Sequence, residues 1–347
     1  MRIAVSIEHP AWAHQFRHII EKNNKDGESL VIAVDKDGDL RLLDAFGIKY
    51  LKLANSTGRN IVEKGWLFLK LCFSYTKAVK CFNADILIGR ASPMMAVAAR
   101  LTGKPHIIFE DTEVSKFSLR ICKWLSSRII TPEKFFLDLG KKQERLPIYK
   151  ELFYLHDEEF APNRESIERY GIDTTEPYIT VRFISWNASH DFGIKGLSDR
   201  EKVEFVEELS ALGRVYISSE KELPAELEKY KINLPFEMIH QMLYYATVVI
   251  SEGASMASEA AILGTHAFYL NEIASGTTEE QEEKYHLLRA LHDPKTRYQI
   301  ALNETRELMK DPDIWQKGKE QREKILTELP DPNDIFWERM RALCAEA

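Results

Sequence analysis

The sequence contains few cysteines and no hydrophobic run long enough to cross a membrane. Its four cysteines form no CxxC pair and have no spacing typical of a metal site. A disulfide framework needs close pairs in an exported chain, so reduced thiols are expected. A transmembrane helix needs about 18 or more consecutive apolar residues, which the sequence lacks. These absences argue against a disulfide-rich secreted domain and against a membrane-spanning protein.

An excess of positive charge is also absent. The formal net charge is −7 and the isoelectric point is about 5.9, so no overall attraction to nucleic acid is expected. The first residues lack the basic and long apolar regions of a signal peptide. We therefore expect a cytoplasmic protein that does not bind nucleic acid.

What the sequence does contain is an alternation of short β-branched runs and periodic helical stretches. Such alternation favours βαβ units on parallel sheets. With 347 residues, the chain is long enough for two globular domains. The alternation pauses between about residues 131 and 175, where prolines are frequent, and restarts at Tyr178. We predict Rossmann-like domains over residues 1–160 and 161–330, and a C-terminal helix over 331–347 that can cross back to the first domain.

The boundaries of the expected elements follow from the apolar periodicity and from glycine and proline positions. Strands are predicted at 2–7, 30–34, 48–53, 84–89, 106–109, 178–184, 214–218, 247–251 and 266–270. Helices are predicted at 41–46, 61–82, 93–102, 114–125, 199–212, 237–246, 255–263 and 335–344, and the chain after residue 278 is expected to be mostly helical.

Residues 247–270 have the most specific pattern: a strand, a turn of small residues, a helix, a glycine and a second strand. Gly253 and Ala254 let the backbone approach a ligand closely, and a helix beginning near Ser255 offers N–H groups to an anion such as a diphosphate. Glu259 lies one turn further on, where its carboxylate can accept hydrogen bonds from both hydroxyls of a ribose. The alternative is an ordinary βαβ turn in which Glu259 is merely favoured near a helix N-terminus.

Residues 251–264 (SEGASMASEAAILG) resemble the nucleotide-sugar loop of GT-B enzymes. The loop is similar to that of the peptidoglycan N-acetylglucosaminyltransferase and, more loosely, of the non-hydrolysing UDP-N-acetylglucosamine 2-epimerases. Over about residues 1–290, the chain is identified as a member of the DUF354 family. The segments that carry this match are 9–16 (HPAWAHQF), 149–152 (YKEL), 154–156 (YLH), 181–183 (VRF), 185–186 (SW) and 256–261 (MASEAA). The resemblance implies the α/β GT-B fold: two Rossmann-like parallel-sheet domains facing across a cleft, with a helical C-terminal tail.

The resemblance also implies roles for residues of the second domain. Backbone N–H groups of Gly253, Ala254, Ser255 and Met256 would cradle the diphosphate, and Glu259 would hold the ribose. The loop with Phe236 and Met238 would receive the base. Further candidates for contacts with the nucleotide sugar are Arg182, Ser185 and His190.

Two features depart from the pattern of GT-B enzymes. Glu252 places a carboxylate beside the expected phosphate site, which is unfavourable unless the carboxylate points away or meets a cation. The loop after the strand at 178–184 lacks the glycines that are common there.

Histidines follow the first predicted strand of the first domain. His9 comes directly after it, and His14 opens the next helix. Histidine titrates near neutrality, so either ring can take a proton from an acceptor hydroxyl, and His14 is slightly favoured. The alternative is that these rings cap the helix or pack in the core.

A second loop of the first domain is acidic. Glu110, Asp111 and Glu113 come directly after an apolar strand, and their mutual repulsion is expected to raise at least one carboxyl pKa. Glu110 and Asp111 are therefore candidates for a general base or a cation site. The alternative is that Asp111 or Thr112 caps the helix at 114–125. Arg90, after the fourth strand, is a candidate partner for phosphate.

The helix at 61–82 combines aromatic residues with lysines. Such a helix is most often a core-packing element, but it can also lie on a bilayer surface. In the second case, the protein would be peripheral to the inner face of the membrane, and a lipid-linked acceptor would be favoured.

The resemblance leads to a functional hypothesis. The protein would be a glycosyltransferase-like enzyme that transfers a sugar from a UDP-sugar to a glycan or lipid-linked acceptor. No DxD motif stands in a suitable loop, so no metal and no cofactor are expected beyond the UDP-sugar substrate. Two alternatives stay open: an epimerase that acts on the UDP-sugar itself, and a non-catalytic protein that binds the nucleotide sugar.

Overall fold

The computed structural model describes residues 1–34, 39–53, 61–186 and 196–346. These residues cluster into two compact units. The first comprises Met1–Glu159 together with Pro330–Ala347, and the second comprises Phe160–Leu329. Each unit is a parallel sheet with helices packed on it, so the prediction of two Rossmann-like α/β domains with a helical C-terminal tail is confirmed.

The sheet of the first unit has the order β3-β2-β1-β4-β5-β6-β7, and all neighbouring strands are parallel. Its strands are β1 (Arg2–Ile7), β2 (Glu28–Val34), β3 (Tyr50–Leu53), β4 (Ile86–Gly89), β5 (His106–Phe109), β6 (Arg128–Pro132) and β7 (Gln143–Leu146). Its helices are α1 (Pro10–Asn23), α2 (Asp39–Ala45), α3 (Ile61–Phe82), α4 (Pro93–Thr102), α5 (Lys116–Leu125), the single turn α6 (Leu152–Leu155) and α14 (Pro332–Glu346).

The strand order places the helices of the first unit in two layers. The chain moves outward from β1 to β3, returns through α3 to β4, and then moves outward in the other direction. Right-handed crossovers therefore place α1 and α2 on one face of the sheet and α3, α4 and α5 on the other. The packing agrees, because α1 contacts α2, α6 and α14, whereas α4 contacts both α3 and α5. No helix within the described residues has the length and hydrophobicity needed to cross a membrane.

The sheet of the second unit has the order β12-β11-β10-β8-β9, again all parallel. Its strands are β8 (Tyr178–Phe183), β9 (Arg214–Ser219), β10 (Val248–Ser251), β11 (His266–Leu270) and β12 (Leu288–Leu291). Its helices are α7 (Glu165–Glu168), α8 (Asp199–Ser210), α9 (Ile239–Tyr245), α10 (Ala254–Ile262), α11 (Gly276–Tyr285), α12 (Arg297–Leu308) and α13 (Ile314–Glu328), with 3-10 turns at Ala225–Tyr230 and Phe236–Met238.

Three short strands depart from the expected element pattern. β6 begins just before the stretch where the alternation was expected to pause, and β7 lies within that stretch. β12 lies in the part expected to be mostly helical. β7 and β12 are edge strands with the sequences QERL and LRAL. Edge strands are exposed along one side, so they carry polar residues and lack the apolar run by which buried strands are recognised.

A close backbone contact fixes the end of α10 against α13. Gly264, which follows α10, has a φ of +74°, and a Cβ atom there would lie 2.5 Å from the carbonyl oxygen of Gly318. We predict that Gly264→Ala lowers the free energy of unfolding by about 2–5 kcal/mol, from left-handed backbone strain plus steric overlap.

Gly171 supplies the control, because its φ is +83° and no atom lies within 4 Å of the Cβ position. Gly171→Ala should therefore cost only the backbone strain, about 1–2 kcal/mol. Urea unfolding of both variants measures the difference. Equal losses would show that the contact between Gly264 and Gly318 contributes nothing.

Candidate functional site

Polar groups that follow the strands of the second sheet form a connected network at its carboxyl edge. Asn271, which follows β11, donates its side-chain amide to the carbonyl of Glu252, which follows β10, at 3.0 Å. The Nδ1 atom of His292, which follows β12, lies 2.6 Å from the carbonyl oxygen of Asn271. Ligands of open parallel sheets bind at this edge, so it is the place to look for a site.

The carboxylate of Glu252 links the segment after β8 to α12 through three hydrogen bonds. It accepts hydrogen bonds from the backbone N–H of Ile184 at 2.9 Å, from the indole N–H of Trp186 at 3.0 Å and from the hydroxyl of Tyr298 at 2.7 Å. Burial raises the pKa of Glu252, and these three hydrogen bonds oppose the increase. The carboxylate is thus engaged by donors of the protein itself, which accounts for an acidic residue beside the expected phosphate site.

Glutamine at position 252 can replace most of these contacts. Its oxygen can accept from Trp186, and its amide can donate to the hydroxyl oxygen of Tyr298. We predict that Glu252→Gln changes the free energy of unfolding by less than about 1 kcal/mol at pH 7, whereas Glu252→Ala lowers it by about 2–4 kcal/mol.

The raised pKa gives a pH dependence with a defined sign. The folded state binds the Glu252 proton more tightly than the unfolded state, so wild type loses stability relative to Glu252→Gln as pH rises from 4.5 through the raised pKa. Urea unfolding of both proteins across this range measures the effect. A stability difference that does not change with pH would contradict it.

The start of α10 has the features expected of an anion site. Gly253 is the N-cap of α10 and has no side chain that could occupy the first N–H groups of the helix. Ser255 is exposed, and Gly253, Ala254 and Met256 are half-buried, so this turn is open to solvent. A helix N-terminus at the carboxyl edge of a parallel sheet suits a phosphate. Diphosphate binding by these four residues stays a prediction.

Glu259, on the second turn of α10, is buried and lies against a histidine that the sequence interpretation missed. Its carboxylate oxygen is 3.3 Å from Nε2 of His240 on α9. The sequence offered no reason to select His240, because no motif surrounds it on its helix. The turn before α9 contains Phe236, which is 52% exposed, and the half-buried Met238.

Arg182 and Ser185 have partners on β9 or directly after it. Arg182 donates to the hydroxyl of Ser218 at 2.8 Å and to the carboxylate of Glu220 at 2.7 Å. The same carboxylate accepts from the backbone N–H of Ser185 at 2.9 Å. Glu220 therefore holds both residues, and its carboxylate competes with a phosphate for the Arg182 guanidinium. His190 lies outside the described residues.

A buried ionic cluster occupies the carboxyl edge of the first sheet. Arg90, which follows β4, pairs with both Glu110 and Asp111, which follow β5. Glu110 also accepts hydrogen bonds from three backbone N–H groups, those of Ala91, Asp111 and Thr112, at 3.0–3.1 Å. The helix expected at 114–125 is α5, and its N-cap is Ser115, so the alternative in which Asp111 or Thr112 caps it is wrong.

The acidic loop was expected to contain at least one carboxyl with a raised pKa, and Asp111 is not that carboxyl. Burial would raise its pKa, but the charges of Arg90 and Lys150 outweigh burial and hold the pKa well below its ordinary value. Lys150 lies 3.4 Å from Asp111 and 3.1 Å from Glu151. Asp111 is therefore an anion at neutral pH and a weak proton acceptor.

Lys150, Glu151 and Glu8 were not among the predicted site residues. Glu8, directly after β1, accepts hydrogen bonds from the hydroxyls of Tyr75 on α3 and Ser92 before α4. The available signal was position, since Glu8 ends an apolar strand. Lys150 and Glu151 follow an irregular stretch, and only the family resemblance marked them.

The two histidines of the first unit have different surroundings. His14 is buried, with its ring centre 5.3 Å from that of Phe46 and 5.4 Å from that of Tyr154. His9 is exposed, and its Nδ1 atom accepts a hydrogen bond from the N–H of Ala11 at 3.2 Å, which caps α1. In the neutral ring the proton therefore resides on Nε2, where it can be donated. Catalytic roles for both residues stay predictions.

Within the residues that the structure describes, no group of three or more histidine, cysteine, aspartate or glutamate side chains is arranged to hold a metal ion. A metal-independent reaction stays a prediction.

No family model matches the sequence, and no curated protein is detectably similar to it. Solved structures do share its fold. The UDP-GlcNAc 2-epimerase of Neisseria meningitidis, solved with UDP-GlcNAc, aligns over 99% of this chain and 100% of its own, with a TM-score of 0.68 and 13% identity. The spinosyn forosaminyltransferase SpnP aligns over 99% of both chains, with a TM-score of 0.66 and 12% identity.

A third similar structure is the glycosyltransferase VinC in complex with dTDP. It aligns over all of both chains with a TM-score of 0.61 and 12% identity. This similarity confirms the predicted GT-B fold, which both glycosyltransferases and 2-epimerases use. Identity this low establishes the fold alone, and membership in DUF354 stays a prediction.

Proposed function

We propose that the protein is a glycosyltransferase-like enzyme that transfers a sugar from a UDP-sugar to a glycan or lipid-linked acceptor. The observation that carries this proposal is the start of α10: a solvent-open helix N-terminus with a glycine N-cap at the carboxyl edge of the second sheet, followed by Glu259 on the next turn. The N–H groups of Ala254, Ser255 and Met256 bind the diphosphate, and Glu259 accepts hydrogen bonds from the ribose hydroxyls.

The same groups supply the chemistry of transfer. When the bond between sugar and diphosphate breaks, negative charge develops on the leaving oxygen. The N-terminus of α10 stabilises this charge through fixed N–H dipoles, without reorganisation during the reaction. The exposed ring of Phe236 offers a surface for the base. Support for a nucleotide sugar comes from the structural neighbours that were solved with UDP-GlcNAc and with dTDP, and the first of these favours a UDP-sugar.

His240 acts on the nucleotide site through Glu259. The two side chains are 3.3 Å apart, so His240 orients the carboxylate that receives the ribose. His240 is thus a positioning residue in this proposal.

A second function, epimerisation of the UDP-sugar, is favoured by one observation. Buried carboxylates of Glu110, Asp111 and Glu151 lie with Lys150 and Arg90 at the carboxyl edge of the first sheet. An epimerase must remove a carbon-bound proton from the sugar, which a carboxylate can do. The low pKa of Asp111 makes that residue a weak base, so we place epimerisation second.

Incubation with UDP-sugars in D2O, with and without acceptor, tests the proposal. A transferase moves labelled sugar into the glycan or lipid fraction and releases UDP only when the acceptor is added. An epimerase converts the UDP-sugar without acceptor and exchanges a sugar C–H for deuterium. Binding without either reaction would indicate a non-catalytic nucleotide-sugar-binding protein, and both enzyme assignments would then be wrong.

A further inference from the structure

Helix α3 has two apolar faces, and only one of them is buried. Leu71, Cys72, Tyr75 and Val79 are buried, and Tyr75 and Val79 pack against the sheet and α4. Four other apolar residues are 65–80% exposed: Val62, Trp66, Leu69 and Phe73. Their spacing of i, i+4, i+7 and i+11 places them in one stripe on the outward side of the helix. The interpretation of α3 as a core-packing helix therefore accounts for its buried face but not for its exposed apolar stripe.

Helix α5 repeats this arrangement in the same layer. Phe117 and Trp124 are 69% and 74% exposed, and the exposed Arg120 lies between them at helical spacing. The opposite side of α5, with Leu119 and Cys122, packs into the core with residues of α4. Because α4 contacts both α3 and α5, the two exposed stripes belong to one helical layer of the first unit.

The charges of these two helices are predominantly positive. Helix α3 contains four lysines against one glutamate, and α5 contains three basic residues and no acidic one. On the outward side of α3, Lys70 lies 5.5 Å above the ring of Trp66, and Lys77 is exposed further along the helix. The complete chain carries a net charge of −7, so this basic layer is a local feature rather than the average composition.

From this combination, we infer that the layer of α3 and α5 binds the surface of an anionic lipid bilayer. Tryptophan and phenylalanine insert at the boundary between headgroups and acyl chains, and flanking lysines pair with anionic headgroups. A second copy of this chain is a poorer occupant, because a symmetric contact would bring the two basic layers together. An acidic protein partner would explain the lysines but gives no reason for aromatic residues in both stripes.

Sedimentation of the full chain with vesicles tests the inference. We expect binding to vesicles of phosphatidylcholine with roughly one-third phosphatidylglycerol, and little binding to phosphatidylcholine alone. Binding should weaken as salt is raised, because exposed charges are screened. Absence of binding to the anionic vesicles would overturn the inference.

Two sets of variants test whether the exposed side of α3 is the surface that contacts the vesicle. The triple variant Trp66→Ser, Leu69→Ser and Phe73→Ser and the double variant Lys70→Glu and Lys77→Glu should each lower vesicle partitioning at least about tenfold. All five side chains are exposed, so both variants should keep the wild-type melting temperature.

The charge control is Lys25→Glu with Lys49→Glu, two exposed lysines outside this layer, and it should bind vesicles like wild type. Equal binding by wild type and by the triple variant would overturn the inference. So would a dimer, detected by light scattering, that the triple variant abolishes, because a second copy would then cover the stripe.

Discussion

Replacing Arg90 with methionine is expected to lower the free energy of unfolding by about 3–5 kcal/mol at pH 7. The guanidinium is buried and neutralises two buried carboxylates, Glu110 and Asp111. Without it, the desolvation of both anions is compensated only by Lys150, which faces Asp111, and by the backbone N–H groups that donate to Glu110.

The loss of stability caused by Arg90→Met should depend on pH. In wild type, the pKa of Asp111 is held low, so its contribution to stability is present above the unfolded value of 3.8 and is lost as pH falls below it. In Arg90→Met, the largest charge that lowers the pKa of Asp111 is removed, so Asp111 takes up its proton at a higher pH than in wild type. The stability difference between the two proteins should therefore narrow as pH falls from 7 toward 4.

Arg128→Met is the matched control, because Arg128 pairs with Glu144 at 3.2 Å in a half-exposed position of the same unit. It should cost less than about 1 kcal/mol, with little pH dependence. Urea unfolding at several pH values compares the variants. A loss for Arg90→Met no larger than the control, or one that widens toward acid, would contradict the described role of the cluster.

Replacing Lys319 with methionine is the second substitution with a large expected effect. The buried side-chain nitrogen of Lys319 lies within hydrogen-bond distance of the carbonyl oxygens of Tyr244 at 2.7 Å, Leu263 at 2.8 Å and Gly264 at 3.3 Å, and 4.0 Å above the Tyr244 ring. These carbonyls are at the C-termini of α9 and α10, where backbone oxygens lack partners within the helix. Burial and the charge of Arg322 lower the pKa of Lys319 well below its ordinary value, so its hydrogen bonds rather than a full charge carry its role.

Because methionine offers no donor, several buried carbonyls would be left without this partner. We expect Lys319→Met to lower the free energy of unfolding by about 2–5 kcal/mol. Lys317→Met, on the same helix but exposed and paired with Asp311, should change the free energy of unfolding much less. Urea unfolding measures both, and equal losses would contradict the role of Lys319 at the two helix ends.

Most strands and helices were predictable from the sequence, including the edge strands β3 and β9, whereas the interior strand β6 and the edge strands β7 and β12 were not. β1 and β5 are apolar runs, and α4 carries Ser92 at its N-cap and Gly103 at its C-cap, so their boundaries follow from local rules. β7 and β12 are set by pairing with a neighbouring strand, which leaves no apolar signature in their own residues.

The candidate site likewise has parts that the local sequence predicts and parts that it does not. The turn at Gly253 and the position of Glu259 follow from a local strand–turn–helix pattern, so the sequence is informative there. The partners of Glu252 come from residues 184, 186 and 298, and the low pKa of Asp111 comes from Arg90 and Lys150. Contacts between residues so distant along the chain are created by the fold and have no local signal.

The central claim is that the start of α10 binds a nucleotide sugar, and thermal unfolding with UDP and UDP-sugars tests it most directly. A ligand at about 100 times its dissociation constant stabilises the folded state by about 2.7 kcal/mol, which raises the melting temperature measurably. Glu259→Gln should weaken binding by about 10- to 100-fold, because a charged acceptor for the ribose is lost.

The control for that measurement is Glu282→Gln, whose carboxylate accepts from the N–H of Ala290 on β12 and should leave binding unchanged. The account predicts stabilisation of wild type and of the control by UDP or a UDP-sugar, and a much smaller effect in Glu259→Gln. No stabilisation of wild type by any nucleotide, or equal stabilisation of all three proteins, would contradict it.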